Sequence, residues 1–154
     1  IKNITFQIAG DGSLRDYLNK KVKDKGIENK VRFLGSLDKE EMINFYNSID
    51  IYISTSLSDG GLASSTAEAM SFERLVIVSN NSDNKVWIKD GENGYLFENG
   101  NYIKLSKIIE STIKNKAIAK EMSKLARETI EKKCSYEKEM SKVKSLYKAT
   151  MVLK

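Results

Sequence analysis

The chain contains no histidine, no proline and a single cysteine, Cys134. The missing histidine excludes His-based catalytic triads and removes the commonest metal ligand. A lone cysteine forms no internal disulfide, and without histidine it supports no structural zinc site. A reducing, cytoplasmic setting fits that inventory best. No apolar run approaches the roughly 20 residues needed to cross a bilayer, and no signal-peptide pattern opens the chain. The lack of proline belongs with the Lys-, Asn- and Ile-rich composition and carries no functional signal.

What is present describes a soluble globular protein: 154 residues, of which 40% are hydrophobic and 31% charged. That length suits a single domain, 1–154, with a core of its own. The sequence opens on Ile1 and runs almost directly into an apolar stretch. Such a start is expected of a piece cut from a larger protein.

Charge is unevenly spread. Residues 1–100 carry 12 Lys/Arg against 15 Asp/Glu, and residues 101–154 carry 14 against 6. A basic helical tail is compatible with peripheral contact at the inner face of a membrane, but the simpler reading is a set of solvated helix faces. No aromatic platform or nucleic-acid motif accompanies the lysines, so no nucleic-acid partner is expected.

Short apolar runs alternate with helical periodicity. Strands are predicted over 4–9, 31–34, 49–54, 75–78 and 95–97. Helices are predicted over 13–25, from Asp38 onward, over 66–72 and over 83–88. Asp38 can cap its helix, with Glu40 and Glu41 in the first turn. Three further helices follow. Their stripes are read as core faces: Tyr102, Leu105, Ile109 and Ile113; Ile118, Met122, Leu125 and Thr129; Tyr136, Met140, Val143 and Tyr147. This alternation means an α/β fold, with βα units on a Rossmann-like parallel sheet and a helical C-terminal tail. Ligands of such sheets sit outside the carboxyl ends of the strands. Three such ends are suggestive: Gly10-Asp11-Gly12, the loop 54–65 and the stretch 79–83, each opening onto a helix N-terminus that attracts anions.

Gly10-Asp11-Gly12 either lets backbone approach a phosphate or sugar closely, or is a tight strand-to-helix turn. The loop 54–65 is richer. Gly60 and Gly61 allow N–H groups to turn inward as an anion nest, and the dipole of the next helix aims at the same place. Glu68 lies in the first turns of that helix. A carboxylate there opposes phosphate, so its target is a neutral polyol such as ribose, unless it only stabilises its helix. Cys134 reads as a bystander thiol, Trp87 as a packing residue, and Asp90 and Glu92 as turn residues.

At this stretch the sequence resembles a known family. Ser58-Asp59-Gly60-Gly61 through Glu68-Ala69-Met70, followed by Leu75-Val76-Ile77, is similar to the carboxyl-terminal half of the retaining GT-B glycosyltransferases of family four. Ile8 to Gly12, Val31 to Gly35, Ser48 to Ile53 and Asp90 to Leu96 resemble that family's other segments in order and spacing. The resemblance implies a two-domain enzyme whose second half binds a nucleotide-diphosphate sugar. It places ribose at Glu68, diphosphate at the backbone of Gly61, Leu62 and Ala63, and the phosphate side at Gly10 and Gly12. Arg32, Phe33 and Leu34 would lie near the base. The implied donor is the substrate; no cofactor and no metal are expected.

Two departures stand out. The family has two glutamates with seven residues between them, but eight positions before Glu68 stands Gly60. Either an insertion lets Asp59, one residue further back and the candidate catalytic acid, contact sugar hydroxyls, or that role is lost. The family's diphosphate-neutralising Arg and Lys precede the strand matching the start of this chain, which is therefore expected to be inactive alone. It would lack an N-terminal domain carrying the acceptor site. The function implied is the donor half of a glycosyltransferase, with retention, in surface polysaccharide or lipid-linked glycan synthesis. Alternatives are a non-catalytic nucleotide or sugar-phosphate binding module and, less well fitted, a sugar-nucleotide epimerase.

Overall fold

The computed structural model describes residues 4–57, 61–81 and 83–152. They form two compact units, Ile1–Ser48 and Ile49–Lys154. Every strand pairing is parallel, and each unit holds its own sheet, one of two strands and one of three.

In the first unit β1 (Phe6–Ala9) leads through α1 (Arg15–Asp24) and a 3-10 turn at Glu28–Lys30 to β2 (Val31–Gly35), then α2 (Lys39–Ser48). Phe6 pairs with Val31 and Ile8 with Phe33, and a register shift between Ile8 and Ala9 brings Ala9 opposite Gly35. The Gly10 N–H donates to the Gly35 carbonyl at 2.7 Å, extending the pairing into the glycine turn. Helix α2 starts at a capping box. The Glu41 N–H donates to Asp38 Oδ1 at 2.9 Å, and the Asp38 N–H donates to Glu41 Oε2 at 2.8 Å. Two otherwise orphaned donors are thereby satisfied. Asp38 thus caps as expected, with Glu41 as its partner.

The second unit is built around β4 (Leu75–Ser79), flanked by β3 (Ile51–Ser54) and β5 (Tyr95–Phe97). All five residues of β4 are buried, which explains its unbroken apolar run. Between β3 and β4 lies α3 (Ser64–Ser71), and between β4 and β5 a one-turn helix α4 (Asn84–Trp87). Helix α3 buries Thr66, Ala69 and Met70. Arg74 locks the return into β4 by donating to the Phe72 carbonyl at 2.7 Å and the Ile49 carbonyl at 2.9 Å.

The turn 90–94 is structural throughout. Asp90 Oδ1 accepts from the Leu96 N–H at 2.9 Å. Buried Asn93 accepts from the Lys89 N–H and donates to the Trp87 carbonyl and to Thr129 Oγ1. Gly94 is demanded by close approach, since a Cβ there would meet Val76 Cγ2 at 2.8 Å and the Val76 carbonyl at 3.0 Å.

Helices α5 (Tyr102–Lys114), α6 (Lys116–Lys133) and α7 (Tyr136–Val152) complete the chain. Helix α6 packs on α3 and β4, and α5 on α6 and β5. The expected core stripes need correction here. Helix α6 buries Met122, Ser123, Ala126 and Ile130, whereas Ile118 is exposed and Leu125 and Thr129 are half-buried. In α5, Leu105, Ile109 and Ile113 are half-buried but Tyr102 is exposed. The stripe on α7 is not a core face: Tyr136, Val143 and Tyr147 are exposed and Met140 is half-buried. Periodicity marks an apolar side of a helix without determining whether another element covers it. Among the described residues no helix is long and apolar enough to cross a membrane.

Candidate functional site

Two strand ends, one in each unit, carry the predicted site residues. In the first unit a recess of about 250 Å3 opens at the end of β1. Gly10 and Gly12 line it together with Ile8, Leu18, Arg15 and Phe33. Its floor is apolar and one cation overlooks it. The Arg15 guanidinium lies 4.9 Å from the Phe33 ring centroid and 4.0 Å from Asp11 Oδ2. Asp11 Oδ1 in turn accepts from the Gly12 N–H at 2.7 Å, which tightens the turn before α1. These glycines thus form a tight turn beside an open recess.

Strand alternation divides the three base-proximal candidates. Phe33 lines the glycine recess. Leu34 lines a different one, with Gln7, Leu37 and Phe45. Arg32 is exposed. Arg15 was not singled out by motif reading; its position in the turn after a glycine pair was the available signal.

In the second unit the loop between β3 and α3 presents Gly61, Leu62 and Ala63, all half-buried. Gly61 has φ +108°, a conformation that only glycine adopts readily. The N-cap of α3 is Ala63, whose side chain has no oxygen to offer the helix. The dipole of a helix end of this kind favours an anion. Glu68 is exposed on α3, as are Ser64 and Ser71, while Thr66, Ala69 and Met70 face the core. Asp59 and Gly60 lie outside the described residues.

The stretch after β4 turns toward the same loop. The Gly61 N–H donates to Asp83 Oδ2 at 2.9 Å. Ser79 Oγ donates to the Ser56 carbonyl, tying the end of β4 to the same loop. Buried Asn84 donates from Nδ2 to the Ser79 carbonyl at 2.9 Å and fixes the segment that carries Asp83.

The other candidates resolve as structural. Lys133 Nζ sits 5.3 Å from the Trp87 ring centroid and donates to the Val86 carbonyl at 3.0 Å, so Trp87 packs as expected. Desolvation, with the Glu139 carboxylate adding to it, pushes the Cys134 thiol above its ordinary range, which disfavours the nucleophilic thiolate. Among the described residues no group of three or more Cys, Asp or Glu side chains is placed to hold a metal ion.

Comparison with known proteins then places this arrangement. The family model described as glycosyl transferases group 1 matches residues 1–129. The chain is 32% identical over 149 residues to a poly(ribitol-phosphate) alpha-N-acetylglucosaminyltransferase of Staphylococcus aureus, covering 94% of this chain and 29% of that protein. It is 34% identical over 122 residues to an undecaprenol-linked-glycan alpha-1,4-N-acetyl-D-galactosaminyltransferase of Campylobacter jejuni, covering 79% of this chain and 33% of that protein. The crystal structure of HepE from Anabaena in complex with UDP-glucose superposes with a TM-score of 0.86 at 19% identity, over 97% of this chain and 42% of that one. That likeness establishes the GT-B fold relationship. The chain spans 29–37% of the length of the curated relatives it matches.

Proposed function

We infer, from the premise that this chain belongs to the glycosyl transferases group 1 family, that it is the donor-binding half of a glycosyltransferase. In this reading the parent enzyme moves a sugar from a nucleotide-diphosphate sugar to an acceptor hydroxyl with retention. The product belongs to surface polysaccharide or lipid-linked glycan synthesis, a reading supported by the names of the relatives from Staphylococcus aureus and Campylobacter jejuni. The observation that carries the proposal is the β3–loop–α3 arrangement. An uncapped helix N-terminus follows a glycine at φ +108°, and Glu68 lies one turn into the helix on its exposed side.

The chemistry follows from those parts. The loop backbone at Gly61, Leu62 and Ala63 and the dipole of α3 receive the diphosphate. Glu68 accepts hydrogen bonds from the two ribose hydroxyls. Gly10 and Gly12 line the phosphate side, Phe33, beside them in the same recess, approaches the base, and Asp59 contacts sugar hydroxyls. Transfer then rests on positioning and on stabilising the leaving nucleotide. No cofactor and no resident metal enter this scheme. The acceptor site belongs to an N-terminal domain of the parent, and the enzyme works in the cytoplasm, where the basic last third of the chain permits contact with the inner face of the membrane.

A titration of the chain with UDP, GDP and their sugar conjugates tests the proposal. With half a cleft, binding of about 0.1–1 mM is expected for one base. Glu68→Ala should weaken it at least about tenfold, the worth of one charge-assisted hydrogen bond. An unchanged affinity in the variant would remove Glu68 from the site; absence of binding at several millimolar by the folded chain would mean that the upstream clamp is indispensable or that the donor-binding reading is wrong. Gly60, in place of a carboxylate, favours a second reading as a non-catalytic nucleotide-binding module; transfer activity in the parent protein separates the two.

A further inference from the structure

Strand β1 has the composition of an inner strand but sits at an edge. The stretch from Ile4 to Ala9 holds no charged residue and no proline, two common protections of an open edge. Among the described residues β1 pairs with β2 alone. Backbone alternation turns every second N–H and C=O of β1 away from β2, toward an edge that no described strand covers. Both faces beside that strand are unfilled. Ile8 and Phe33 share one face, where they line a recess of about 250 Å3 with Leu14 and Leu18. Gln7 and Leu34 share the other, where they line a recess of about 310 Å3 with Leu37 and Phe45. Phe6 is 43% exposed, and α1 buries none of its residues.

We propose that the free edge of β1 receives a further parallel strand, apolar on both faces, supplied by the part of the parent protein upstream of β1. One added strand sends alternate side chains to the two faces, so it accounts for both recesses at once. Every pairing in this chain is parallel, and such sheets have strands buried on both faces. Strands consecutive in sequence usually lie side by side; β2 takes one side of β1, which leaves the other to the strand before it. The curated relatives are long enough to supply it, since this chain spans 29–37% of them. A second copy is a poorer occupant: pairing the β1 edge with itself about a two-fold axis runs antiparallel. The added strand ends beside the Gly10–Gly12 turn and walls the glycine recess. The inference rests on family membership and holds whether or not the donor-binding reading does.

Amide hydrogen exchange in the 154-residue chain and in the full-length parent tests this, without any substitution that could unfold either. The Phe6 to Ala9 amides should exchange at least about 100-fold more slowly in the parent. The change in β4, which already has a strand on each side, should be smaller. NMR identifies the occupant: in the parent, interstrand NOEs from β1 amides should lead to residues upstream of this chain. Equal β1 exchange in the two proteins overturns the proposal. So does slower exchange in the parent without such NOEs, which would mean that something other than a strand covers β1. Protection of β1 in the isolated chain that rises with its concentration overturns it too, and makes a second copy the occupant.

Discussion

Strands β1 and β4 look alike as sequence, short and apolar, and each runs into a stretch singled out as a strand end of interest, Gly10-Asp11-Gly12 and 79–83. Their surroundings differ. In β1, Phe6 is 43% exposed and Ile8 37%, and its sheet has one other strand. In β4 every residue from Leu75 to Val78 is at most 1% exposed, with a strand on each side and α6 on its face. The second unit thus holds a packed core of Ala69, Met70, Leu75 to Val78, Ile88, Phe97, Met122 and Ala126. In the first unit Tyr46 is the buried hydrophobic side chain among the described residues. A strand with two neighbours and a helix above it stabilises through burial. A strand in a two-stranded pair relies on local hydrogen bonds and turns. The glycine recess is carried by the second kind of structure, and the Gly61–Asp83 loop by the first.

Mutation pairs sharpen this contrast. Ile77→Ala should destabilise by about 2–5 kcal/mol, since it leaves a cavity in a fully packed strand. Ile8→Ala should cost less than about 1.5 kcal/mol, since part of that side chain is already in water. Urea melts of the two variants check this, and equal losses would break the comparison. Gly94→Ala ranks next, at about 1–3 kcal/mol, because its new methyl would press on the β4 backbone and Val76. Thermal unfolding measures it; an unchanged midpoint would mean that the turn can back away from β4. Asp38→Ala should cost about 1 kcal/mol by opening the capping box. Its signature is local, with faster hydrogen exchange at the start of α2 and no change in β4 amides.

Much of this molecule can be read in its residues. The order of strands and helices follows from the apolar runs and their periods, and the boundaries mostly fall within two residues of expectation. Asp38 and Glu41 announce their capping box by spacing. The turn 90–94 was legible as a turn, but not the role of Asn93, whose side chain links the turn to Thr129 on α6. That contact joins residues 36 apart, and nothing local signals it. The α7 stripe shows the opposite failure. Its apolar period is plain, yet Tyr136 and Tyr147 are 77% and 66% exposed.

The sequence by itself determined the alternating α/β pattern, the glycine-bearing strand ends, the loop before α3 and the place of Glu68 in its helix. These rest on backbone geometry and nearest-neighbour side chains, which act within a few residues. Only the tertiary structure decided which apolar faces are covered, that Phe33 and Leu34 line different recesses, and that Asp83 already holds the N–H of Gly61. Those outcomes depend on which distant groups meet in space, and burial and a hydrogen bond spanning 22 residues are properties of that meeting rather than of any one segment.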